Sequence, residues 1–242
     1  MSTTRFAVAL GFCLAGIAIL FALGTWQVER LYWKQGLIAE IEQRIHAEPV
    51  DLATLERNFE AGDAIAYTPV TVTGRFLNAD ERYFFSTFEG QSGWNVFTPM
   101  VLQGGNVLFV NRGFVPYEMK DPATRRAGQP DEVTTLTGLA RVPPAQKPGY
   151  FMPDNEPETQ TFFWQDIPAM AANVAIPAGG KLLPFFVDAG PGQADGGWPV
   201  GGTTVVSLPN DHLQYAATWY GIGLVLVVMT GLMVVRRYRR RA

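Results

Sequence analysis

Few residues in this chain of 242 could carry acid–base, nucleophilic or metal chemistry. There are two histidines, His46 and His212, and one cysteine, Cys13. No Ser-His-Asp arrangement can be read from the order of residues. No nucleophile elbow or Gly-rich nucleotide loop occurs. A single cysteine leaves no disulfide and no paired thiols for zinc or copper. Glu40 and Glu42 sit on a predicted helix and read as solvated. Glu156 and Glu158 lie in a Pro-rich loop, where nothing fixes their separation. An enzyme is therefore the weakest reading.

One constellation is informative. Asn210 to Tyr220 enters a long apolar run, with Asn210 or Asp211 expected to cap a helix. His212, Tyr215 and Trp219 follow at i, i+3 and i+7 and so share a helical face. Tyr and Trp are ordinary residues at a membrane interface. His212 has two readings. It is a solvated interfacial histidine, or it is a metal ligand, since imidazole is a standard axial ligand of haem iron. A flat apolar macrocycle suits a helix face that carries aromatic rings.

The elements that must position this face follow from charge. Residues 6–28 and Leu213 to Val235 hold no charged side chain. Each run meets the roughly 20 residues needed to cross a bilayer. All 22 Asp and Glu lie between the runs, whereas Arg5, Arg236, Arg237, Arg239, Arg240 and Arg241 flank them. Positive flanks stay in the cytoplasm. The expected organisation is a cytoplasmic N-terminus at 1–5, a first transmembrane helix at 6–28, an outer (periplasmic) domain at 29–211, a second transmembrane helix at 212–235 and a basic cytoplasmic tail at 236–242. The first run is longer than a signal-peptide core and leads into Trp26, Tyr32 and Trp33, an aromatic belt. It reads as an uncleaved anchor in a bacterial plasma membrane. An acidic outer domain speaks against nucleic acid. The Arg tail suits anionic lipid.

Trp26, Arg30, Trp33, Leu37, Ile41 and Ile45 recur at helical spacing, so the first helix is expected to continue until Glu48-Pro49. A short helix is expected at Leu52–Phe59. Strands are predicted at Tyr67–Phe76, Arg82–Phe88, Trp94–Leu102, Val107–Asn111, Val133–Val142, Leu183–Ala189 and Thr203–Leu208, and another short helix at Ile167–Ala175. Gln103 to Asn106 reads as a hairpin turn. The fold class is a membrane protein of α+β type, with terminal transmembrane helices flanking a mainly antiparallel β domain that curls toward a barrel. No long parallel crossover is evident.

Five ordered blocks resemble the Surf1 family across essentially the whole chain. They are Leu23-Gly24-Thr25-Trp26-Gln27-Val28-Glu29-Arg30; Val110-Asn111-Arg112-Gly113-Phe114-Val115-Pro116; Pro122-Ala123-Thr124-Arg125 with Gly128-Gln129; Trp164-Gln165-Asp166 with Met170-Ala171; and Asn210 with His212 through Gly221. The resemblance implies a non-enzymatic assembly factor for haem–copper terminal oxidases, the cytochrome c oxidase class. It implies transient handling of haem a for oxidase subunit I, with the haem a synthase as a further partner. A histidine at the position of His212 is the family's proposed iron ligand. The competing reading is a membrane scaffold that steadies an oxidase intermediate and binds no haem.

Expected cofactor-binding residues are His212, Tyr215, Trp219, Trp26 and Arg112, with His212 on the iron. Arg112 follows a predicted strand and Gly113 permits a turn. Arg112 would pair with a haem propionate, or hold Asp166 or Asp188. Trp26 and Trp219 would pack together or line a haem groove. Trp164 is expected in the core. Close approach of the spans is expected at Gly11, Gly16 and Gly24 against Gly221, Gly223 and Gly231.

Overall fold

Apolar residues concentrate at the two ends of the chain and alternate in the middle, and the architecture follows that division. The computed structural model describes residues 3–192, 197–203 and 209–239. The chain forms two compact units, Met1–Ile41 with Ser207–Ala242, and Glu42–Val206.

The first unit is built on α1 (Thr3–Ile45). At 1.5 Å per residue its 43 residues reach about 64 Å, roughly twice the apolar thickness of a bilayer. The helix thus continues well past its apolar run, as its spacing predicts. It has an 18-residue stretch of mean hydropathy 2.6, against 2.0 for the C-terminal helix (His212–Arg239), and both are long and apolar enough to cross a membrane.

In the second unit, β1 (Val50–Asp51) leads into α2 (Leu52–Glu60). The Asp51 carboxylate caps α2 by accepting from the Thr54 amide at 2.7 Å. There follow β2 (Pro69–Phe76), β3 (Arg82–Phe88), β4 (Gln91–Leu102), β5 (Val107–Pro116), β6 (Thr134–Arg141), β7 (Thr161–Phe162), α3 (Ile167–Met170) and β8 (Leu182–Ala189). Strands β2, β6, β8, β5 and β4 close a five-stranded barrel, because β2 pairs with both β6 and β4. The change of partner falls on Gly74, opposite both Thr134 and Leu102. A Cβ there would lie 2.5 Å from the Val101 carbonyl oxygen, so the corner needs glycine. Strand β3 extends the sheet beyond β4, and β7 lies outside it.

The sequence reading found no parallel crossover, and the structure corrects it. Strand β8 enters between β5 and β6 and runs parallel to β5, with Val110 opposite Val187 and Asn111 opposite Asp188. Alternation shows which face of a strand is buried, but not which neighbour it takes. The barrel pairs otherwise run antiparallel.

Strand β5 is buried along its whole length because both its faces are covered. Leu108 and Val110 join Val72, Met100, Leu136, Leu183 and Val187 in one cluster, completed by Leu55 of α2. Val107 and Phe109 join Phe84, Phe97, Phe162, Phe186 and Met170 of α3 in another. Helix α3 is shorter than the predicted Ile167–Ala175, since the chain turns after Met170 and the Val174 amide bonds back to the Ala171 carbonyl. Trp164, expected in the core, is half-buried. Thr203 is not in a strand, and the remainder of the strand predicted at Thr203–Leu208 lies outside the described residues.

Candidate functional site

Two polar arrangements draw on the motif residues, one in each unit. In the helical unit the closing motif starts α4 (His212–Arg239). Buried Ala216, Gly223 and Thr230 recur every seven residues along it, the repeat of a helix–helix seam. Helix α1 runs antiparallel to it and presents Gly16, Phe21, Gly24 and Gln27. A Cβ on Gly24 would stand 2.7 Å from the Tyr220 ring, and one on Gly223 2.9 Å from the Phe21 ring. Small residues thus let large rings fill the seam. Phe21 and Tyr220 meet edge to face at 5.6 Å.

Polar contacts close the seam at its upper end. The Thr25 hydroxyl donates to the Phe21 carbonyl, so the Tyr220 hydroxyl donates to Thr25 Oγ1 at 3.0 Å. His212 Nδ1 lies 2.7 Å from Gln27 Oε1. The Lys34 ammonium donates to the Pro209 carbonyl. Neither Asn210 nor Asp211 caps α4 through its side chain, contrary to expectation. The Asp211 backbone carbonyl accepts from the Tyr215 amide, and Asn210 Oδ1 is buried without a partner among the described residues.

Trp26, Tyr215 and Trp219 each precede a seam residue by one position: Gln27, Ala216 and Tyr220. One position is a rotation of about 100°. In antiparallel helices that face each other, this rotation carries all three to the same side of the pair. Trp26 and Tyr215 remain 51% and 55% exposed. The tryptophans do not pack together, because Tyr220 fills the interface instead and no ring contact joins Trp26 to Trp219. His212 is half-buried beside this aromatic side.

In the barrel unit the central motif lies within β5, and neither Arg112 nor Gly113 is in a turn. Gly113 has φ +108, and a Cβ there would fall 1.8 Å from the Val200 carbonyl oxygen. Its motif role is to let the Val200 segment cross and exchange two backbone hydrogen bonds with Phe114. Strand alternation then sends Asn111 and Arg112 to opposite faces. Asn111 Nδ2 donates to Asp188 Oδ1 at 2.8 Å, and Arg141 Nη1 donates to Asp188 Oδ2 at 2.9 Å.

Arg112 takes neither Asp166 nor Asp188. Asp166 caps α3 by accepting from the Ala169 amide. Its acid is Glu81, whose carboxylate oxygen is 3.8 Å from Nη1, while Nη2 donates to the Gly128 carbonyl. The guanidinium lies over the Phe76 ring at 4.6 Å. Glu81 is 1% exposed and also holds Arg125, which donates to both of its oxygens. The Tyr83 hydroxyl donates to Glu81 Oε2 at 2.8 Å, and Gln129 Nε2 lies 3.5 Å from Oε1. One buried carboxylate therefore ties two family-like blocks, the central motif and Pro122 to Gln129, to the start of β3. Burial pushes the Arg112 guanidinium down to about 10, against the raising effect of Glu81. Burial, with Glu81 beside it, pushes the Tyr83 phenol up.

Sequence reasoning missed Glu81, Tyr83 and Gln27. Two motif arginines with no assigned acid were the available signal for Glu81. Gln27 lies inside the first family-like block, Leu23 to Arg30. Among the described residues no group of three or more His, Cys, Asp or Glu could hold a metal ion.

Comparison with known proteins covers the segments that carry both arrangements. The model of the SURF1 family matches residues 14–224, which include both. The chain is 35% identical over 240 residues to Surfeit locus protein 1 of Rattus norvegicus, covering 93% of this chain and 74% of that one. The Homo sapiens protein of that name is 38% identical over 219 residues, 84% and 69% of the two chains. A SURF1-like protein of Monosiga brevicollis is 36% identical over 224 residues, 87% and 82%. With matched blocks in both units and similarity along nearly its whole length, this chain belongs to the SURF1 family.

Proposed function

We propose that this protein is an assembly factor for haem–copper terminal oxidases, and that it holds haem a as cargo for oxidase subunit I beside His212. Family membership supports the class of function. The observation that carries the haem reading is a half-buried imidazole at the start of α4, next to aromatic rings that their own helices leave exposed. The residues fit such a cargo. His212 Nε2 makes no hydrogen bond among the described residues, so a nitrogen lone pair is unengaged. Tyr215, Trp219 and Trp26 offer apolar surface on the same side. Bound there, haem iron would accept the imidazole nitrogen as an axial ligand. Arg112, already committed to Glu81 and Gly128, is left out of this site. The haem a synthase is a natural donor of the cargo.

A second reading has its own support. The His212–Gln27 and Thr25–Tyr220 contacts clasp the two helices without any cargo, as a scaffold would require. An absorption spectrum separates the two readings. The full chain, purified from cells that synthesise haem a, should carry haem, and His212→Ala should lose it while still accumulating in the membrane. Full haem with an unchanged spectrum in His212→Ala removes the ligand assignment. A haem-free wild type favours the scaffold.

We further propose that both termini are cytoplasmic and the barrel unit lies across the membrane from them. The Arg cluster after α4 supports this. A reporter active only outside the cytoplasm should work when inserted near Gln129 and fail after Ala242. The reverse pattern overturns the orientation.

A further inference from the structure

We infer that Gln27 is a positioning residue that fixes the tautomer of His212, keeping the ring hydrogen on Nδ1 and leaving Nε2 as the bare donor nitrogen. The purpose of the device rests on the proposed ligand role of His212, but the tautomer itself does not.

The geometry is simple. Gln27 Oε1 lies 2.7 Å from His212 Nδ1. A carboxamide oxygen can only accept, so the hydrogen in that bond belongs to the ring. A neutral imidazole has one N–H, and placing it on Nδ1 strips Nε2. Among the described residues Nε2 has no hydrogen-bond partner to compete for its lone pair. Ligating histidines generally donate their other ring N–H to an oxygen acceptor, which sets the tautomer and the ring direction and raises the basicity of the donor atom. Here the acceptor comes from the other helix. Gln27 faces His212 because α1 and α4 pack through Gly24 and Gly223, with Thr25 and Tyr220 bonded further along the same seam. The packing of the spans thus determines which nitrogen is offered. Gln27 adjoins Trp26, so one turn of α1 supplies both an aromatic side and the acceptor. An ordinary helix clasp would be satisfied by either orientation of the carboxamide, whereas a donor site needs the oxygen toward the ring.

The test exploits the presence of only two histidines. Full-length, haem-free protein in lipid nanodiscs, labelled with 15N-histidine and carrying His46→Gln, has one imidazole to observe. Nitrogen shifts recorded at mildly alkaline pH, about 8.5, report which ring nitrogen carries the hydrogen. Wild type should show Nδ1 protonated and Nε2 bare. Gln27→Leu should shift the ring toward the Nε2–H form, whereas Gln27→Glu, which keeps an acceptor, should retain Nδ1–H. In titrations with haem, Gln27→Leu should bind about tenfold to a hundredfold more weakly, the usual loss when such a partner is removed. An Nε2–H ring in wild type, or a ring unmoved by Gln27→Leu, overturns the inference. So does haem affinity that depends on His212 but not on Gln27. If His212→Ala leaves haem affinity unchanged, the ligand reading falls, while the nitrogen shifts still decide the tautomer.

Discussion

The Glu81 knot and the His212 edge both draw on residues of the family-like blocks, yet they differ in almost every physical respect. Glu81 is 1% exposed, and its carboxylate faces two guanidinium groups and a phenol inside the barrel unit. Its polar groups are taken up by protein partners, with Arg112 Nη1 held by charge at 3.8 Å rather than by a hydrogen bond. His212 is half-buried and uses one ring nitrogen on Gln27, while the other has no partner among the described residues. Its neighbours Trp26 and Tyr215 are half exposed. The knot spends its chemistry internally, whereas the edge keeps a donor atom and apolar surface in reserve. A motif residue therefore does not announce its role by type. Arg112, expected to meet a propionate, Asp166 or Asp188, faces Glu81 and donates to the Gly128 carbonyl.

The sharpest way to break this comparison is to substitute one residue in each region. Glu81→Gln keeps the shape and removes the charge, leaving Arg112 and Arg125 buried together without a counter-ion. Removing one partner of a buried pair costs about 3–5 kcal/mol, and the barrel unit should lose that stability in chemical unfolding of the full chain. His212→Ala should change stability by no more than about 1 kcal/mol, since it removes one half-buried side chain and a single hydrogen bond. Equal losses in the two variants would erase the distinction. A Glu81→Gln protein as stable as wild type would mean that the knot is not what joins its two motif blocks.

Much of this architecture was legible in the sequence, for reasons that also explain what was not. Strand β3 was bounded at Arg82–Phe88 by its run of aromatic and β-branched residues, and the short helix expected at Leu52–Phe59 is α2. The two terminal helices followed from uncharged length alone. Partner choice was invisible, because Val107, Phe109, Val187 and their neighbours are apolar on both faces and give no register. The parallel β5–β8 pairing was missed for that reason. Gly113 was read as a turn because positive φ is commonest there, whereas a backbone crossing by Val200 demands it inside a strand. In the site, the helical face of His212, Tyr215 and Trp219 could be counted from spacing. Gln27 could not, since contacts between the two ends of the chain depend on which small residues let the helices meet. Glu81 was one carboxylate among 22 acidic residues, with nothing local to mark it.

The smallest expected effect refines the description of the knot and is read through pH. The Tyr83 phenol is pushed above its ordinary value of 10.0 by burial and by the adjacent Glu81 carboxylate, which together disfavour a phenolate. Its folded-state value is raised, so the stability it contributes is fully present below pH 10 and is lost as pH rises through the higher folded value. In that window the unfolded chain has released the proton and the native chain has not. One proton held differently gives a slope of at most about 1.4 kcal/mol per pH unit. Wild type should therefore lose stability from about pH 10 upward more steeply than Tyr83→Phe, whose ring cannot ionise. At pH 8 the same variant should be less stable by about 1.5–3 kcal/mol, the range for a hydrogen bond to a charged group. Comparing the two proteins at each pH cancels the titration of the other tyrosines and lysines. Parallel stability curves above pH 10 would mean that Tyr83 ionises as readily in the folded protein as in the unfolded chain, and that the carboxylate beside it is solvated rather than enclosed.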